Sequence, residues 1–256
     1  MNRINTILNI ILWSFVVLFV NEARSQVITD SCINMPYLNF AYTFQVPFGD
    51  QTEWFGVNHA VGAEISYKTK HNDVLSLQWD FIFGDKVKKR DELLKYVTNS
   101  YGKIINLHGQ EAIVNLYERG HAVILRYGKI VRGKAKNPNS GWLFSGGVGV
   151  LTHKIRIEVY ENDVPPLNDD YKKGYDRLSI GPVVDFQPGY LYFGRRNLVY
   201  FSATLDLRYG LLKNVRPYNF DEMAADKELK HEFYVGVKVG WVFPLYKKAP
   251  RDFYYY

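Results

Sequence analysis

The chain has very little of what builds the common chemical sites. It contains one cysteine, Cys32, so no intramolecular disulfide can form. Its six histidines form neither a His-x-His nor a His-Glu-x-x-His spacing, and no glycine-rich phosphate loop is present. The basic residues are scattered, and the longest run is Lys88, Lys89 and Arg90. We therefore expect no metal, no cofactor and no nucleic-acid partner.

The N-terminus has the pattern of a cleavable leader. Arg3 precedes an apolar stretch at residues 7–20, and Ala23-Arg24-Ser25 fits a small-x-small cleavage site. The stretch is shorter than the ~20 residues that a membrane-spanning helix needs. We predict a signal peptide over residues 1–25, with a membrane anchor as the alternative. The rest of the chain has no comparable apolar run, and a mean hydropathy of −0.23 excludes a bundle of apolar membrane helices.

Period-two alternation of apolar and polar residues recurs eight times after the leader and predicts eight strands. In residues 231–243, for example, every odd position from Phe233 is apolar, whereas Lys238 lies on the other face. A bulge is expected at residues 117–120, and Pro182 and Pro188 weaken the sixth strand because proline cannot donate to a ladder. The predicted strands cover residues 37–46, 59–68, 73–84, 111–131, 142–158, 179–192, 199–211 and 231–243.

The connections between these strands alternate strictly in length. Long connections at residues 47–58, 85–110, 159–178 and 212–230 separate short ones at 69–72, 132–141 and 193–198. Short turns on one side and long loops on the other are typical of bacterial outer-membrane barrels. The prediction is an all-β, eight-stranded antiparallel up-and-down transmembrane barrel over residues 26–243, followed by a periplasmic tail at 244–256.

The polar faces of the predicted strands carry eight charged residues. Four are acidic and four are basic, which is the balance that a mutually neutralising network inside a barrel needs. The apolar faces, with aromatic residues towards strand ends, would then contact lipid. A secreted, lipocalin-like barrel with reversed faces is the soluble alternative. The predicted lumen network comprises Glu64, Lys68, Asp80, Arg126, Asp185, Asp206, Arg208 and Lys238.

Two segments carry a family resemblance: HKIRIEVYENDVPPLNDDYKKGYDRL at residues 153–178 and GWVFPLYKKAPRDFYYY at residues 240–256. They resemble a group of outer-membrane β-barrel proteins of the Bacteroidota, which are similar in plan to small OmpA-type barrels. The resemblance implies a location in the outer membrane of a Gram-negative cell and implies no particular biochemical activity. The chain departs from two-domain OmpA-like proteins because no peptidoglycan-binding domain follows the barrel, so anchoring to the cell wall by that route is not expected.

The functional prediction is a structural or accessory subunit of an envelope complex for secretion or assembly. Outer-membrane lipid is one expected partner, and envelope proteins are the other, bound through the loops and the C-terminal tail. The tail is basic and aromatic, although it could equally extend the last strand past Pro244. The residues expected to form its partner-binding surface are Tyr246, Lys247, Lys248, Arg251 and Tyr256.

Two other functions and one ion site are weaker alternatives. A lipid-modifying enzyme could use Ser145 and His153, but eight residues along one strand separate them by roughly 26 Å, too far for contact. A small channel is the third possibility, because eight strands leave an interior just wide enough for side chains. Acidic residues in the 159–178 loop could bind calcium, but a solvated acidic loop explains them more simply. These residues are Glu161, Asp163, Asp169 and Asp170.

Overall fold

A computed structural model describes residues 32–133, 137–160, 164–194 and 200–245. Eight strands pair in sequence order, and the eighth returns to the first, so the sheet is a closed antiparallel barrel. The eight-stranded prediction is confirmed. The signal peptide lies outside the described residues and stays a prediction. Strands β1 to β8 are Met35–Gly49, Asn58–Lys68, Asp73–Gly84, Val114–Val131, Gly141–Val159, Ser179–Phe193, Tyr200–Asn214 and Leu229–Pro244.

Closure of the barrel depends on the pairing of β1 with β8. Their register is continuous from Tyr37 opposite Pro244 to Gly49 opposite Glu232. This pairing leaves no open sheet edge among the eight described strands, which removes the unpaired backbone groups that would otherwise be costly in an apolar environment. The long connections meet at one end of the barrel, called here the loop end, and the short ones meet at the other, the turn end.

The two prolines of β6 interrupt its ladder with β7, because proline has no N–H group to donate. Pairing with β7 skips from Ile180 to Val183, and again from Phe186 to Gly189. Each gap contains a proline, whereas the pairing of β6 with β5 is continuous through both. The strand therefore persists because its ladder with β5 is continuous where its ladder with β7 is interrupted.

The predicted bulge at residues 117–120 is wrong. Glu118 pairs with Gly84 on one side and Ile155 on the other, and the register of β4 runs through it without an extra residue. Gly120 has a different role, because a Cβ atom there would come within 2.6 Å of the carbonyl oxygen of Thr152. The glycine permits close packing of β4 against β5, and no bulge is needed.

The outward face of the barrel is an apolar belt. Ile65 is 63% exposed and Val237 is 55% exposed, and comparable exposure recurs on every strand. Aromatic side chains flank the belt at both ends, with Trp142 and Phe243 near the turn end and Phe83 and Phe233 near the loop end. Other belt residues are Phe40, Leu77, Leu125, Val148, Val150, Val184, Leu205 and Val239.

The inward face is filled in layers. An apolar cluster around Tyr37, Phe193 and Val242 closes the turn end, and a second around Ile124, Leu151 and Tyr234 lies nearer the loop end. A third cluster, called here the loop core, is built mainly from the loops, with Trp54, Leu94, Leu167 and Tyr175 buried together. The interior is therefore a packed core that the loops cover at one end.

Helices contribute little to the part of the chain that is described. The α-helix α1 covers Arg90–Leu93. Short 3₁₀ turns occur at Asp50–Glu53, Pro165–Leu167 and Tyr171–Gly174. Among these residues, no helix is both long enough and apolar enough to cross a bilayer.

Candidate functional site

A charged network occupies the middle of the lumen. Arg126 donates from Nε and Nη2 to the two carboxylate oxygens of Asp185, with the second bond at 3.1 Å. Arg208 donates from Nε and Nη2 to Asp206 at 2.9 and 2.6 Å, and also from Nη2 to Asp80. These side chains are almost completely buried, so their charges depend on one another for stabilisation.

Gln78 joins the two halves of this network, and the sequence pattern does not single it out. Its side-chain carbonyl accepts from Arg126 and from Lys238, and its amide donates to both carboxylate oxygens of Asp80 at 2.5 Å. An uncharged residue on an inward face gives no sign of such a role. Only the alternation that points Gln78 inward could have suggested it.

Lys68 does not join the other seven predicted network residues. It points inwards at the turn end, where its ammonium group donates to Asn139 Oδ1 at 2.9 Å and to the carbonyl oxygen of Thr69 at 3.3 Å. Lys68 and Glu64 lie four positions apart on β2, which is roughly 13 Å at the usual rise per residue. Lys68 and Glu64 therefore lie on the same strand face but belong to different clusters.

Without Lys68, the network has an acidic excess. Four carboxylates face three cations, so the formal charge is −1. The most loosely paired acid is Glu64, which lies 3.8 Å from Lys238 and 3.9 Å from Arg126. Its other carboxylate oxygen accepts a hydrogen bond from Ser66 at 2.6 Å. The four-to-four balance expected from the sequence is not reached inside this cluster.

Small residues make room for the large charged ones. A Cβ atom on Gly147 would lie 2.6 Å from the Cγ of Arg126 and 2.6 Å from the backbone oxygen of Leu125. Gly146, its neighbour, would meet nothing closer than the backbone oxygen of Asp185 at 3.8 Å. The glycine-rich stretch of β5 thus accommodates a buried guanidinium.

A second polar cluster fills the mouth of the barrel near the loop end. Glu118 accepts hydrogen bonds from Gln51 at 2.9 Å and from Asn58 at 3.0 and 3.1 Å. Glu232 bonds to His153 Nε2 at 2.8 Å and accepts from the Tyr234 hydroxyl at 3.1 Å. The contacts of Glu118, and that of Glu232 with His153, join residues far apart in sequence. The sequence pattern identifies only His153 as chemically interesting.

The Ser145 and His153 pair considered for catalysis is split between different environments. Ser145 donates to the backbone carbonyl of Gln187 at 3.3 Å, deep in the barrel. His153 belongs to the mouth cluster, where Phe55 packs edge-on against its ring. Both residues are buried on the same strand face but remain eight positions apart. The arrangement contains no nucleophile within reach of this histidine along that strand.

An ion cluster holds the loops together above the barrel. Arg177, in the left-handed backbone region with φ 46°, donates to Asp221 and to Glu222, the latter at 2.5 Å. Its guanidinium lies 3.8 Å from the centre of the Trp54 ring. Three loops that are distant in sequence meet at this one side chain. A cation–π contact and several hydrogen bonds offset the cost of the strained backbone.

The charges of this loop cluster shift the pKa values of its members. Burial works to lower the pKa of Arg177, but its hydrogen bonds to Asp221 and Glu222 outweigh that effect and raise it. Burial also opposes ionisation of Asp226, yet the hydrogen bond and charge of Lys230, at 2.6 Å, hold the pKa of Asp226 below its usual value. The charged forms are therefore favoured in the folded loops.

A polar cleft of 460 Å³ opens beside this cluster. Trp54 and Arg177 form part of its wall, and acidic and basic side chains alternate around the rest. Cations of this cleft already have carboxylate partners. Lys89, for example, pairs with Glu53 at 3.0 Å. We find no chemistry in this cleft that selects a ligand.

The β3–β4 loop, residues 85–113, presents apolar side chains on two turns that side-chain hydrogen bonds hold. In the first turn, the Asn99 side chain accepts from the backbone N–H groups of Tyr101 and Lys103 at 2.9 and 3.0 Å. In the second, Asn106 accepts in the same way from residues 108 and 110 at 3.0 and 2.8 Å. Gly102 and Gly109 supply the positive φ that each turn needs.

The exposed residues of that loop are unusually apolar for a surface segment. Tyr101 is 86% exposed and Leu107 is 71% exposed, and both lie at the turns just described. Tyr96, Ile105 and Ile113 are also exposed. The inner side of the loop is anchored, because Leu93, Leu94 and Ile104 are buried in the loop core. A fixed loop with apolar tips can bind a partner without first being ordered.

The remaining predicted sites fall partly or wholly outside the described residues. Tail residues Tyr246, Lys247, Lys248, Arg251 and Tyr256 lie outside them, as do Glu161 and Asp163. Asp169 and Asp170 are described and pair with Lys172 and Lys173 at 3.3 and 2.9 Å. Within the described ranges, no group of three or more potential ligands is placed to hold a metal ion.

The sequence matches no family model and no curated protein. Among solved structures, the chain is similar to two crystal structures of Ail, the attachment invasion locus protein of Yersinia pestis, one of them in complex with the heparin analogue sucrose octasulfate. The identities are 6% for the complex and 7% for the other, with TM-scores of 0.43 and 0.44. The N-terminal β-barrel domain of Pseudomonas aeruginosa OprF gives 12% identity and a TM-score of 0.38.

Each of these matches covers 82% of this chain and 99% of the other chain. The fold assignment rests on the strand pairing itself. The resemblance to barrels of the Bacteroidota stays a prediction.

Proposed function

We propose that this chain is an outer-membrane β-barrel that serves as a structural or accessory subunit of an envelope assembly, with the β3–β4 loop as its main contact surface. The observation that carries the proposal is the fixed apolar surface of that loop. The barrel acts as the membrane anchor, and the loop acts as the contact element.

The apolar belt supports the membrane part of the proposal. Leu205 and Val237 are cross-strand partners on the outward face, and both are about half exposed. Their inward neighbours Asp206 and Lys238 are buried. A water-soluble barrel would turn the charged face outwards, because an exposed apolar belt around the whole circumference promotes aggregation. A lipid environment makes the same arrangement favourable.

The filled interior supports an anchoring role over transport. Apolar clusters lie on both sides of the charged network, and the loop core covers the mouth. A conducting pore needs a continuous aqueous path, which such packing does not provide. A packed interior therefore favours a role that the loops and the outer surface of this barrel carry out.

The loop surface supports a protein partner. Aromatic and aliphatic side chains are the residue types that dominate binding energy at protein interfaces. Tyr101 and Leu107 project from turns whose backbone is fixed by the two asparagines. Because the loop is already ordered, binding loses little conformational entropy.

The test is partner capture by the full-length protein. A photo-crosslinking residue at position 101 or 107 should link the barrel to one defined envelope protein in cells. In Tyr101→Ser/Leu107→Ser, the same partner should be lost after gentle detergent extraction and quantitative mass spectrometry. The matched control is Val215→Ser, which removes an exposed apolar side chain from the β7–β8 connection and should leave the partner bound.

Two outcomes would overturn this proposal. One is a barrel that extracts alone and gives no crosslink from either position. The other is a partner that is retained equally by the double variant and by the control.

A further inference from the structure

The outward surface just above the apolar belt carries a local concentration of positive charge on β4 and β5. Arg119 of β4 lies directly opposite Lys154 of β5, and Arg156 lies opposite Tyr117 two residues further from the belt. All four side chains are on the outward face. Like charges directly opposite one another destabilise a sheet pair, so the arrangement is costly without an anion.

The side chains that the structure describes around these cations do not neutralise them. Arg119 donates to the carbonyl oxygens of Gly84 and Glu118, at 3.4 and 2.7 Å, and these acceptors are uncharged. Arg156 pairs with Glu158 at 2.7 Å. Lys154 is exposed and has no ion-pair partner among residues that the structure describes. Three cations against one carboxylate leave a local charge of +2.

The position of this basic surface relative to the belt is specific. Immediately below it, His121 is opposite Thr152, and His121 stacks on Trp79. Directly below that level, the next outward residues are apolar: Val123, Leu125 and Tyr127 on β4, and Val150 and Val148 on β5. On the neighbouring strand β3, the residue opposite Arg119 is Phe83. These three cations thus lie together on β4 and β5, at the level where polar headgroups would meet acyl chains.

We propose that this surface binds the phosphate of a phosphorylated lipid in the outer leaflet of the membrane that the barrel spans. The inference rests on the membrane location in the proposed function. The Arg156 guanidinium and the Lys154 ammonium supply charge-assisted hydrogen bonds to phosphate oxygens. The row of Val123, Leu125 and Val150 directly beneath takes the acyl chains. A free anion would use only the cations, so the continuity of the two surfaces favours lipid.

The experiment is native mass spectrometry of the full-length barrel with added monophosphoryl lipid A as the probe. Wild-type protein should retain the lipid, and Lys154→Met should bind it at least tenfold more weakly. Arg156→Gln, which removes a second cation, should do the same. The matched control is Lys129→Met on the opposite end of β4, where Lys129 pairs with Asp73 at 3.5 Å, and its affinity should be unchanged.

Two further arms distinguish a bound lipid from a bound soluble anion and from a barrel that does not insert. Inorganic phosphate in large excess should not displace the lipid, and displacement would assign the surface to a soluble anion and overturn the proposal. Equal binding by Lys154→Met and wild type would also overturn it. Insertion into lipid vesicles is scored on the same samples. If the barrel inserts but the variants bind normally, only this inference fails, whereas failure to insert removes the membrane location as well.

Discussion

Arg126 of β4 and Asp185 of β6 form a two-point ion pair across β5, because both residues take Gly147 as their register partner. The glycine leaves open the space through which the guanidinium reaches the carboxylate. One backbone position thus determines whether the two charged strands can interact.

Removing one partner of this pair should be costly. Arg126→Met leaves a buried carboxylate without its main cation, so the free energy of unfolding should fall by about 3–5 kcal/mol. Asp185→Asn should have a similar effect, and the double variant should cost less than the sum of the two. Urea unfolding from lipid vesicles, followed by tryptophan fluorescence, measures all three.

The control for this prediction is Glu64→Gln. Glu64 is only loosely paired within a cluster that already has excess negative charge, so its neutralisation should change stability by less than about 1 kcal/mol, as for a weak ion pair. A loss as large as that of Arg126→Met would show that Glu64 is as tightly paired as Asp185.

The glycines of β5 provide a steric prediction. Gly147→Ala should destabilise the barrel, because the new methyl group meets both the Arg126 side chain and a backbone oxygen that cannot move easily. Gly146→Ala should be tolerated, since the nearest atom to its new methyl group lies at 3.8 Å. The temperature at which each variant loses the gel mobility of the folded barrel distinguishes the two. Equal shifts would show that the interior can relax around the methyl group at position 147.

Lys68 should behave independently of the central network. Because Lys68 bonds to Asn139 at the turn end, the stability effects of Lys68→Met and Asp185→Asn should add to within about 0.5 kcal/mol. Lys238→Met and Asp80→Asn, which both act on Gln78, should not be additive. A double-mutant cycle measures each coupling, and strong coupling of Lys68 to Asp185 would show that Lys68 belongs to the network.

The loops should lose stability in acid. The pKa of Asp226 is held below its usual value by Lys230. A carboxyl group with a depressed pKa in the folded state contributes stability that is present above the unfolded-state value of about 3.9 and is lost as pH falls through the folded-state value. Carboxyl ¹³C NMR, with Asp226→Asn for assignment, should report a pKa below about 3.9. Lys230→Met should raise it, and no change on that substitution would exclude Lys230 as the cause.

Period-two alternation predicts all eight strands because each has one buried and one exposed face, and a barrel keeps this period around its whole circumference. The effect of the β6 prolines on the ladder is also predictable from the sequence, since a missing N–H removes a specific ladder bond. The expected bulge near Gly120 fails for a different reason. A glycine within a strand can serve either a bulge or a close backbone approach, and only the register distinguishes them.

The sites are harder to predict than the strands. Alternation points Lys68 and Glu64 to the same side but does not give the distance between clusters along the barrel. Gln78 carries no charge, so the sequence pattern does not single it out, although it bridges both halves of the network. The contacts of Arg177 depend on loops that meet only after the barrel closes. Such contacts have no local sequence pattern.

The orientation of the barrel wall is tested most directly by the environment of consecutive residues on β8. Spin labels introduced singly at positions 237, 238 and 239, in a Cys32→Ser background and in lipid vesicles, report access to oxygen dissolved in the bilayer and to a water-soluble nickel reagent. A lipid-facing belt predicts high oxygen and low nickel access at 237 and 239, with both reagents excluded at 238. Nickel access at 237 and 239 equal to that of an exposed loop site would contradict a membrane-spanning barrel.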